Sequence, residues 1–341
     1  MRGSMRILIP DLGYDDADLE REVAGSDFTI DFYRWQPGIE AKITDESWRS
    51  CHALALYEKI PVTPAIMAKL DNIKLVVRAG VGFDNVDLKG FGAMGIPVCN
   101  VPDYGTMDVA EHAIGLLLGL TRGIVEHNER LRGDPIGEWM FHTPPIKRRL
   151  LGRRIGIVGL GRIGTATAMR AKAFGLDVWF YDPYLRPGME LGLGFGRAFS
   201  LEELLAGSDV VSIHTPLTPE TRNMIDAKAL SHVKKGAILI NTGRGETVVL
   251  DAVYEALKSR QLDGAGLDVL EVEPPELDHP LIKAWRTKEP WLHGRVVLTP
   301  HSAFHSPESI VTLRKKSVKT AVDFLRDGNL YNCVNAEFLK K

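Results

Sequence analysis

Three ionisable side chains, Arg244, Glu273 and His301, each stand in a polar segment directly after an apolar run. An imidazole can take up or release a proton near neutral pH. A guanidinium has a planar fork that binds a carboxylate through two hydrogen bonds. A carboxylate beside the imidazole would raise the imidazole pKa and fix its tautomer. These residue types therefore predict proton transfer to or from a small anionic substrate.

Each of these residues also has an interpretation without chemistry. Arg244 could cap a helix or pair at the surface. Glu273 could be a solvated charge beside Glu271 and Glu276. His301 could be a hydrogen-bonded core histidine. The chemical interpretation is favoured because all three residues follow strands of what we predict to be one sheet.

The predicted sheet begins with a buried strand that runs into Gly-x-Gly-x-x-Gly at residues 159–164. Gly159 permits a tight turn, Gly161 has no side chain to keep a pyrophosphate from the backbone, and Gly164 lets the next helix pack close to the strand. That helix, predicted over residues 165–174, offers unpaired N–H groups and a partial positive charge to phosphates. The pattern predicts a dinucleotide-binding site.

A second apolar run, residues 178–181, ends in Asp182, 23 residues beyond Gly159. A carboxylate at this place can accept hydrogen bonds from both ribose hydroxyls of the adenosine and would repel a 2′-phosphate. We therefore predict NAD as the cofactor. Arg186 nearby leaves NADP open as an alternative.

A dinucleotide beside the three ionisable residues indicates hydride transfer. His301 would take a proton from a carbinol, Arg244 would hold the carboxylate and carbonyl of the substrate, and Glu273 would keep the histidine in a suitable state. His305 lies four residues after His301, but Ser302 occupies the place of the glutamate in His-Glu-x-x-His, so we predict no metal site.

Composition bounds the protein class. The 341 residues allow two domains with sizeable cores, and 45% apolar and 25% charged residues are ordinary for a soluble globular protein. A net charge of −2 gives no electrostatic case for nucleic acid or an anionic membrane. Three scattered cysteines, Cys51, Cys99 and Cys333, argue against a disulfide framework, so we expect a cytoplasmic protein. Residues 1–4 are interpreted as a vector remnant.

The first part of the chain alternates between apolar runs and helical stretches, which predicts a parallel sheet with helices on both faces. The predicted strands are residues 7–9, 28–30, 53–56, 75–77 and 96–98. Residues 64–70 predict a helix with Thr63 as N-cap and Pro64 at its first position. Two loops follow strands at the ligand-binding edge of such a sheet. Residues 57–59, with Glu58, could be a site or a turn, whereas the glycines of residues 78–85 favour a small-anion site.

The second part predicts a dinucleotide-binding sheet of six strands. These strands are residues 155–158, 178–181, 210–213, 238–241, 266–269 and 296–298. Ser200 and Glu203 predict a capping box before the third strand. Residues 106–131 predict one long helix that connects the domains.

The segment of residues 133–149 contains Trp139, Met140 and Phe141 in polar surroundings. It could be a subunit contact, a lid or a locally packed loop. Further on, Ser306-Pro307 predicts the start of a helix that ends near Gly328 and returns to the first domain.

We therefore predict an α/β protein with two Rossmann- or flavodoxin-like doubly wound parallel-sheet domains and a cleft between them. The substrate-binding domain is predicted to be discontinuous, residues 5–104 plus 305–341, and the NAD-binding domain to comprise residues 105–304.

With these motifs in place, the chain resembles the D-isomer-specific 2-hydroxyacid dehydrogenase family over nearly its whole length from Met5. The resemblance is carried by residues 158–164, 241–245, 268–274 and 299–301. Within the family the chain is most similar to the C-terminal-binding-protein branch, through residues 78–85, 180–184 and 332–335.

The resemblance implies a role for each matching residue. Arg244 would bind substrate, Glu273 would tune the histidine, His301 would be the acid/base, and Asp268 would hold the nicotinamide carboxamide. The implied cofactor contacts are Gly159, Leu160, Gly161, Arg162, Ile163, Gly164, Asp182, His214, Thr215, Pro216, Thr242, Gly243, Asp268, Ser302 and Ala303. The implied substrate contacts are Arg78, Gly80, Val81, Gly82, Arg244 and His301. Members are typically homodimers joined through the cofactor domain.

The chain departs from the family pattern at the substrate pocket. Phe304 and His305 stand where the C-terminal-binding-protein pattern has Trp and Tyr, so the substrate cannot be carried over. Glu273 stands where formate dehydrogenases of the family have Gln, which argues against formate. Loops around Glu58, Tyr104, Trp139 and Phe304 would select the substrate side chain.

The expected function is NAD-dependent interconversion of a D-2-hydroxy acid and a 2-keto acid. Two alternatives remain at this stage: an NAD(H)-sensing interaction protein similar to the corepressors of the nearest branch, and a dehydrogenase for another small anion such as phosphite.

Overall fold

The computed structural model describes residues 4–57, 59–143 and 146–339. The chain divides into two compact units, Met1–Gly105 with His305–Lys341 and Thr106–Phe304. Each unit is built on one parallel sheet, which confirms the predicted α/β class. Residues 1–3 of the predicted vector remnant and Glu58 of the first loop lie outside the described residues.

The first unit contains a five-stranded sheet in the order β2-β1-β3-β4-β5, the order of flavodoxin-like doubly wound sheets. Its strands are β1 (Met5–Leu12), β2 (Phe28–Arg34), β3 (Ala53–Leu56), β4 (Leu75–Arg78) and β5 (Val98–Asn100). Every residue of β3 and β4 is buried, as expected where helices cover both faces of a parallel sheet. The prediction of a strand over residues 96–98 was wrong at its start, because Pro97 has no N–H for a ladder and β5 begins at Val98.

Short helices connect these strands. They are α1 (Asp18–Ala24), α2 (Asp45–Ser50), α3 (Pro64–Met67) and α4 (Leu88–Ala93). Thr63 caps α3 by accepting a hydrogen bond from the N–H of Ile66, as predicted, but α3 ends at Met67 and does not extend to residue 70.

The second unit contains a seven-stranded sheet in the order β12-β11-β10-β9-β6-β7-β8. Its strands are β6 (Arg154–Val158), β7 (Asp177–Tyr181), β8 (Gly196–Arg197), β9 (Val210–Ile213), β10 (Ala237–Asn241), β11 (Leu262–Leu267) and β12 (Val296–Leu298). The strand order reverses between β6 and β9, which is the switch point where Rossmann sheets bind dinucleotides. The six predicted strands are present, and β8 was missed because two residues carry no periodic pattern. The strand predicted over residues 266–269 was misplaced, since β11 ends at Leu267.

The helices of the second unit also differ in two places from the prediction. They are α5 (Thr106–Thr121), α6 (Ile124–Gly133), α7 (Arg162–Ala173), α8 (Met189–Leu193), α9 (Leu201–Gly207), α10 (Ala227–His232), α11 (Leu250–Lys258) and α12 (Pro280–Arg286). The single helix predicted over residues 106–131 is two helices, because Gly123 adopts a left-handed conformation with φ 65°. The helix predicted over residues 165–174 starts three residues earlier, at Arg162.

The predicted capping box of α9 is only half present. The Ser200 hydroxyl accepts from the N–H of Glu203, as an N-cap should. The Glu203 carboxylate accepts from the N–H of Phe199, where the capping box would require the N–H of Ser200.

The last long helix, α13 (Pro307–Asp327), belongs to the first unit. Ser306 forms its capping box with Ser309, and the helix ends at Gly328 with φ 72°. The guanidinium of Arg314 donates to both carboxylate oxygens of Glu20 in α1 at 2.7 Å, and the Glu20 side chain is fully buried. A buried, bidentate ion pair thus ties the end of the chain to its beginning.

Four 3-10 helices lie among the described residues: Gly25–Asp27, Ile39–Lys42, Gly245–Thr247 and Ala336–Phe338. None of the helices in the described ranges is both long enough and apolar enough to cross a membrane.

We predict that Arg314→Met destabilises the protein by about 3–5 kcal/mol, because it leaves the buried Glu20 carboxylate without its partner. Urea unfolding followed by circular dichroism would measure the loss. Lys315→Met is the matched control, since Lys315 pairs with Glu22 at the surface and its removal should cost less than about 1 kcal/mol. Equal losses in the two variants would contradict the argument.

Candidate active site

The glycines after β6 adopt the geometry that their spacing predicted. Gly159 has φ 87°, a conformation that side chains disfavour. A Cβ at Gly164 would lie 2.1 Å from the carbonyl oxygen of Gly159, so only glycine allows α7 to approach the strand this closely. A Cβ at Gly161 would meet nothing within 4 Å, so its glycine leaves open space beside the backbone.

The start of α7 has the features of an anion site. Its N-cap Gly161 provides no side chain to bond the first N–H groups of this 12-residue helix, and Arg162 and Ile163 form its first turn. Beside the turn, the Asp182 carboxylate accepts from the N–H groups of Leu160 and Tyr184, each at 3.0 Å. Asp182 therefore lies against the glycine turn, at the tip of β7.

The loop that follows β9 lies on the other side of the switch point. The N–H of His214 donates to the carbonyl of Val158 at 2.8 Å. A Cβ on Gly159 would lie 3.0 Å from the Thr215 side chain, and a Cβ on Gly243 would lie 3.4 Å from the Thr215 carbonyl oxygen. The loops after β6, β9 and β10 therefore meet at one edge of the sheet. Pro216 continues the middle loop, where its carbonyl accepts from the Thr221 hydroxyl.

Two buried polar atoms in these loops, Thr242 Oγ1 and His214 Nδ1, have no hydrogen-bond partner among the described residues. Buried polar atoms are normally paired, so such atoms at a switch point suit a polar ligand. The other ring nitrogen of His214 bonds the Ser212 hydroxyl at 2.8 Å. Burial lowers the pKa of His214 from 6.5 to about 4, so the ring is neutral at physiological pH. Together with the open Gly161 turn, these residues fit a dinucleotide.

His301 and Glu273 form a direct pair. Nδ1 of His301 lies 2.7 Å from Oε2 of Glu273, and the two side chains are 32% and 36% exposed. An ionised carboxylate can only accept, so Nδ1 carries the hydrogen and Nε2 is the ring atom that can exchange a proton with a substrate. The other Glu273 oxygen accepts from the N–H of Leu270 at 2.9 Å, which holds the carboxylate in place.

Arg244 follows β10 and sits on a closely packed turn. Its carbonyl accepts from Asn241 Nδ2 at 3.0 Å and from the Thr247 hydroxyl at 2.7 Å. A Cβ on Gly245 would lie 1.8 Å from the Leu270 carbonyl oxygen, so glycine is needed for this turn to approach the segment that leads to Glu273. The Arg244 guanidinium donates to the Gly243 carbonyl at 3.1 Å.

Asp268 has a structural role that the sequence did not reveal. Its side chain is almost fully buried and accepts from the Thr299 hydroxyl at 2.6 Å. It also accepts from the N–H groups of Ser302 and Ala303, each at 2.9 Å. An ionised carboxylate offers about four acceptor positions, so most of this carboxylate is engaged by the chain itself. The N–H groups predicted to contact the cofactor therefore also hold Asp268.

We name residues 299–304 the histidine loop. His301 adopts a left-handed conformation in it, with φ 50°, and its N–H donates to the Asp268 carbonyl at 2.8 Å. The ring of Phe304 meets the His301 ring edge-on, with centroids 6.4 Å apart. The sequence did not predict this left-handed backbone, because no glycine stands at position 301.

The loop after β4 belongs to the first unit. Arg78 is buried and donates to the Ala79 carbonyl at 2.9 Å, so part of its guanidinium supports its own loop. A Cβ on Gly80 would lie 1.4 Å from that guanidinium, which explains the glycine. The N–H of Gly80 donates to the Arg78 carbonyl, whereas no described residue accepts from the N–H groups of Val81 and Gly82.

Comparison with known proteins identifies the family. A family model described as "D-isomer specific 2-hydroxyacid dehydrogenase, NAD binding domain" matches residues 114–303. The chain belongs to the D-isomer-specific 2-hydroxyacid dehydrogenase family. Such a member is an NAD-dependent oxidoreductase that acts on the CH–OH group of 2-hydroxy acids, and the matched range contains the glycine turn, Arg244, Glu273 and His301.

Relatives of this dehydrogenase carry several substrate names. It is 36% identical to a glyoxylate reductase of Korarchaeum cryptofilum over 316 residues, which cover 92% of this chain and 91% of the relative. It is 33% identical to the D-3-phosphoglycerate dehydrogenase of Bacillus subtilis over 289 residues, which cover 85% of this chain and 52% of the relative.

Solved structures of the family match this dehydrogenase along almost its full length. The NADPH-dependent glyoxylate/hydroxypyruvate reductase of Sinorhizobium meliloti, in complex with NADP and malonate, has a TM-score of 0.83 at 30% identity and covers 99% of both chains. The D-lactate dehydrogenase of Aquifex aeolicus, in complex with NAD and lactic acid, has a TM-score of 0.78 at 29% identity and covers 94% of this chain and 95% of that one.

We predict that His214 makes the protein less stable in mild acid. Its folded-state pKa of about 4 lies below the ordinary 6.5, so the unfolded chain binds the proton first as pH falls. The stabilising contribution is complete above about pH 6.5 and is lost progressively toward pH 4.

The measurement is the free energy of unfolding in urea at pH 7.5 and pH 5.0. His214→Gln keeps a group that can bond Ser212 but cannot titrate, so it should lose less stability over this interval than the native chain. His232→Gln, at an exposed position, serves as the control. A native-like loss in His214→Gln would refute the assignment.

Proposed function

We propose that the protein catalyses NAD-dependent interconversion of a D-2-hydroxy acid and a 2-keto acid, with His301 as the acid/base. The observation that carries this proposal is the 2.7 Å contact between His301 Nδ1 and Glu273 Oε2, in the loops that follow β12 and β11 of the dinucleotide-type sheet. With the hydrogen on Nδ1, Nε2 is the ring nitrogen that would exchange a proton with the substrate.

In the direction of reduction, His301 Nε2 gives its proton to the keto oxygen as the oxygen gains negative charge. In the direction of oxidation, Nε2 takes the proton from the carbinol. Glu273 stabilises the imidazolium through Nδ1–H. A bound nicotinamide would accept or supply the hydride. Arg244 would hold the carboxylate and carbonyl oxygen of the substrate, and the N–H groups of Val81 and Gly82 would meet the carboxylate.

The same residues would hold the cofactor. Its pyrophosphate would lie against the first turn of α7, from Leu160 to Ile163, where helix N–H groups and the helix dipole favour anions. Asp182 would accept from the adenosine ribose, and its charge would disfavour the 2′-phosphate of NADP. Thr242 and His214 would gain partners for their buried atoms, and Asp268 has one acceptor position left for the carboxamide.

The substrate would be a small 2-keto acid, with glyoxylate and hydroxypyruvate as the first candidates. The support is the full-length similarity to a glyoxylate reductase and to a glyoxylate/hydroxypyruvate reductase. Phe304 lies against the His301 ring and would form one wall of the site. Similarity to the C-terminal-binding-protein branch stays a prediction from residues 78–85, 180–184 and 332–335, as does a cytoplasmic location.

We further propose a homodimer joined through the second unit. Ile136, Trp139 and Phe141 are 88%, 78% and 88% exposed, which favours a subunit contact over a locally packed loop for this part of residues 133–149. The turn at residues 134–137 is held in shape, since Asp134 accepts from the N–H groups of Ile136 and Gly137. Exposed aromatic residues on an ordered segment are typical of an interface.

To test the activity, we expect NADH oxidation at 340 nm with at least one member of a 2-keto acid panel that includes glyoxylate, hydroxypyruvate and pyruvate. NADPH should give a lower kcat/KM because of Asp182. His301→Ala should lower kcat by about 10²- to 10⁴-fold, because the proton donor is lost. NADH affinity, measured by fluorescence, should stay within about twofold, because His301 bonds Glu273 and lies in a different loop from the glycine turn.

His232→Ala at the surface is the matched control and should behave like the native enzyme. An inactive panel with tight NADH binding would favour an NAD(H)-sensing interaction protein. Oxidation of phosphite with NAD would favour a dehydrogenase for that anion. Equal loss of turnover and NADH binding in His301→Ala would remove the assigned role.

To test assembly, we expect Trp139→Ser with Phe141→Ser to shift the native dimer toward monomer in sedimentation velocity. Removing two large aromatic side chains takes apolar area away from the proposed contact. Leu191→Ser, at an equally exposed site in α8, should leave the dimer unchanged. A native dimer in the double variant would show that another surface joins the subunits.

A further inference from the structure

His112, in the second turn of α5, contacts the network that holds the histidine loop. Its Nε2 lies 2.9 Å from Thr299 Oγ1 and 3.6 Å from Asp268 Oδ1. Neither the spacing of the active-site residues nor the proposed mechanism assigns this histidine a role. Its neighbour Ala113 is buried in the hydrophobic core, so packing of α5 fixes the backbone position of His112.

The direction of each hydrogen bond follows from the number of hydrogens. The Thr299 hydroxyl has one hydrogen and donates it to Asp268 Oδ1 at 2.6 Å. Its oxygen must therefore accept from His112, so Nε2 of His112 carries a hydrogen. Two hydrogen bonds therefore run in series. His112, on α5, donates to Thr299, and Thr299 donates to the Asp268 carboxylate.

The other end of this chain is the backbone of the histidine loop. Asp268 accepts from the N–H groups of Ser302 and Ala303 with its carboxylate and from the N–H of His301 with its carbonyl. His301 is held with φ 50°, and a non-glycine residue in this region costs free energy unless its surroundings impose it. The acid/base group is thus on a strained backbone whose restraints meet at Asp268.

We propose that His112 is a positioning residue, which orients Thr299 and Asp268 so that the histidine loop holds His301 against Glu273. The inference rests on the proposed function, because it deepens the role assigned to His301. In this role His112 acts on His301 indirectly, through Thr299 and Asp268.

The test compares His112→Leu, which removes the donor at similar volume, with His112→Gln, whose amide N–H can replace it. Two measurements are made: kcat and KM with NADH and the best 2-keto acid, and deuterium uptake of a peptide spanning residues 299–304. The control is Glu111→Gln, which changes the neighbouring residue but only loosens a surface ion pair with Arg170.

We expect His112→Leu to lower kcat by about fivefold to tenfold, the effect of one lost hydrogen bond, with NADH affinity unchanged. The loop peptide should exchange faster, because the N–H groups of Ser302 and Ala303 lose part of their restraint. His112→Gln should recover most of both properties, and Glu111→Gln should match the native enzyme. Adding His112→Leu to Thr299→Val should cause little further loss, since Thr299→Val already removes the hydroxyl that His112 bonds.

Native kcat and native exchange in His112→Leu would overturn the inference, as would a His112→Gln variant as impaired as His112→Leu. If His112→Leu does not fold, Thr299→Val is measured instead. It removes the hydroxyl that links His112 to Asp268, so native exchange of the loop peptide in this variant would overturn the inference. Deuterium uptake can be measured without turnover. An enzyme that is inactive on the whole panel would therefore count against the proposed function, and the exchange of the loop peptide would still test the role of His112.

Discussion

The second unit depends on one buried carboxylate placed directly after a strand. Asp268 is almost inaccessible to water, and a buried charge is costly unless hydrogen bonds surround it. Its partners are a hydroxyl and two backbone N–H groups, all from the histidine loop. The carboxylate therefore takes its hydrogen bonds from that loop, and the same bonds fix the position of His301, the proposed acid/base.

Close backbone contacts after two other strands also hold the loops of the candidate site in place. Glycine at position 164 brings α7 against the turn at Gly159, and glycine at position 245 brings the Arg244 turn against Leu270. In both places a single Cβ would force the backbone apart. The candidate site therefore depends on backbone contacts that leave no room for a Cβ. Arg244 is carried by one of these closely packed turns.

Much of this arrangement was predictable from the sequence, because apolar alternation and glycine spacing are local signals. The caps at Thr63 and Ser306, the glycine turn and most of the strands followed from such patterns. The break at Gly123 was not predictable, since a single glycine is tolerated inside a helical pattern. The role of Asp268 depends on hydrogen bonds to a segment more than 30 residues away, and the sequence carries no pattern for those.

The position of α13 in the chain has a consequence for how the protein is made. The first unit needs this helix to cover its sheet and to bring Arg314 to Glu20, yet nearly 200 residues of the second unit, Thr106–Phe304, are synthesised in between. While the ribosome produces them, the nascent first unit exposes an apolar sheet face and an unneutralised carboxylate. The second unit, which is continuous in sequence, can complete its core earlier. Chaperone binding during translation would therefore concentrate on the N-terminal segment until the C-terminal helix emerges.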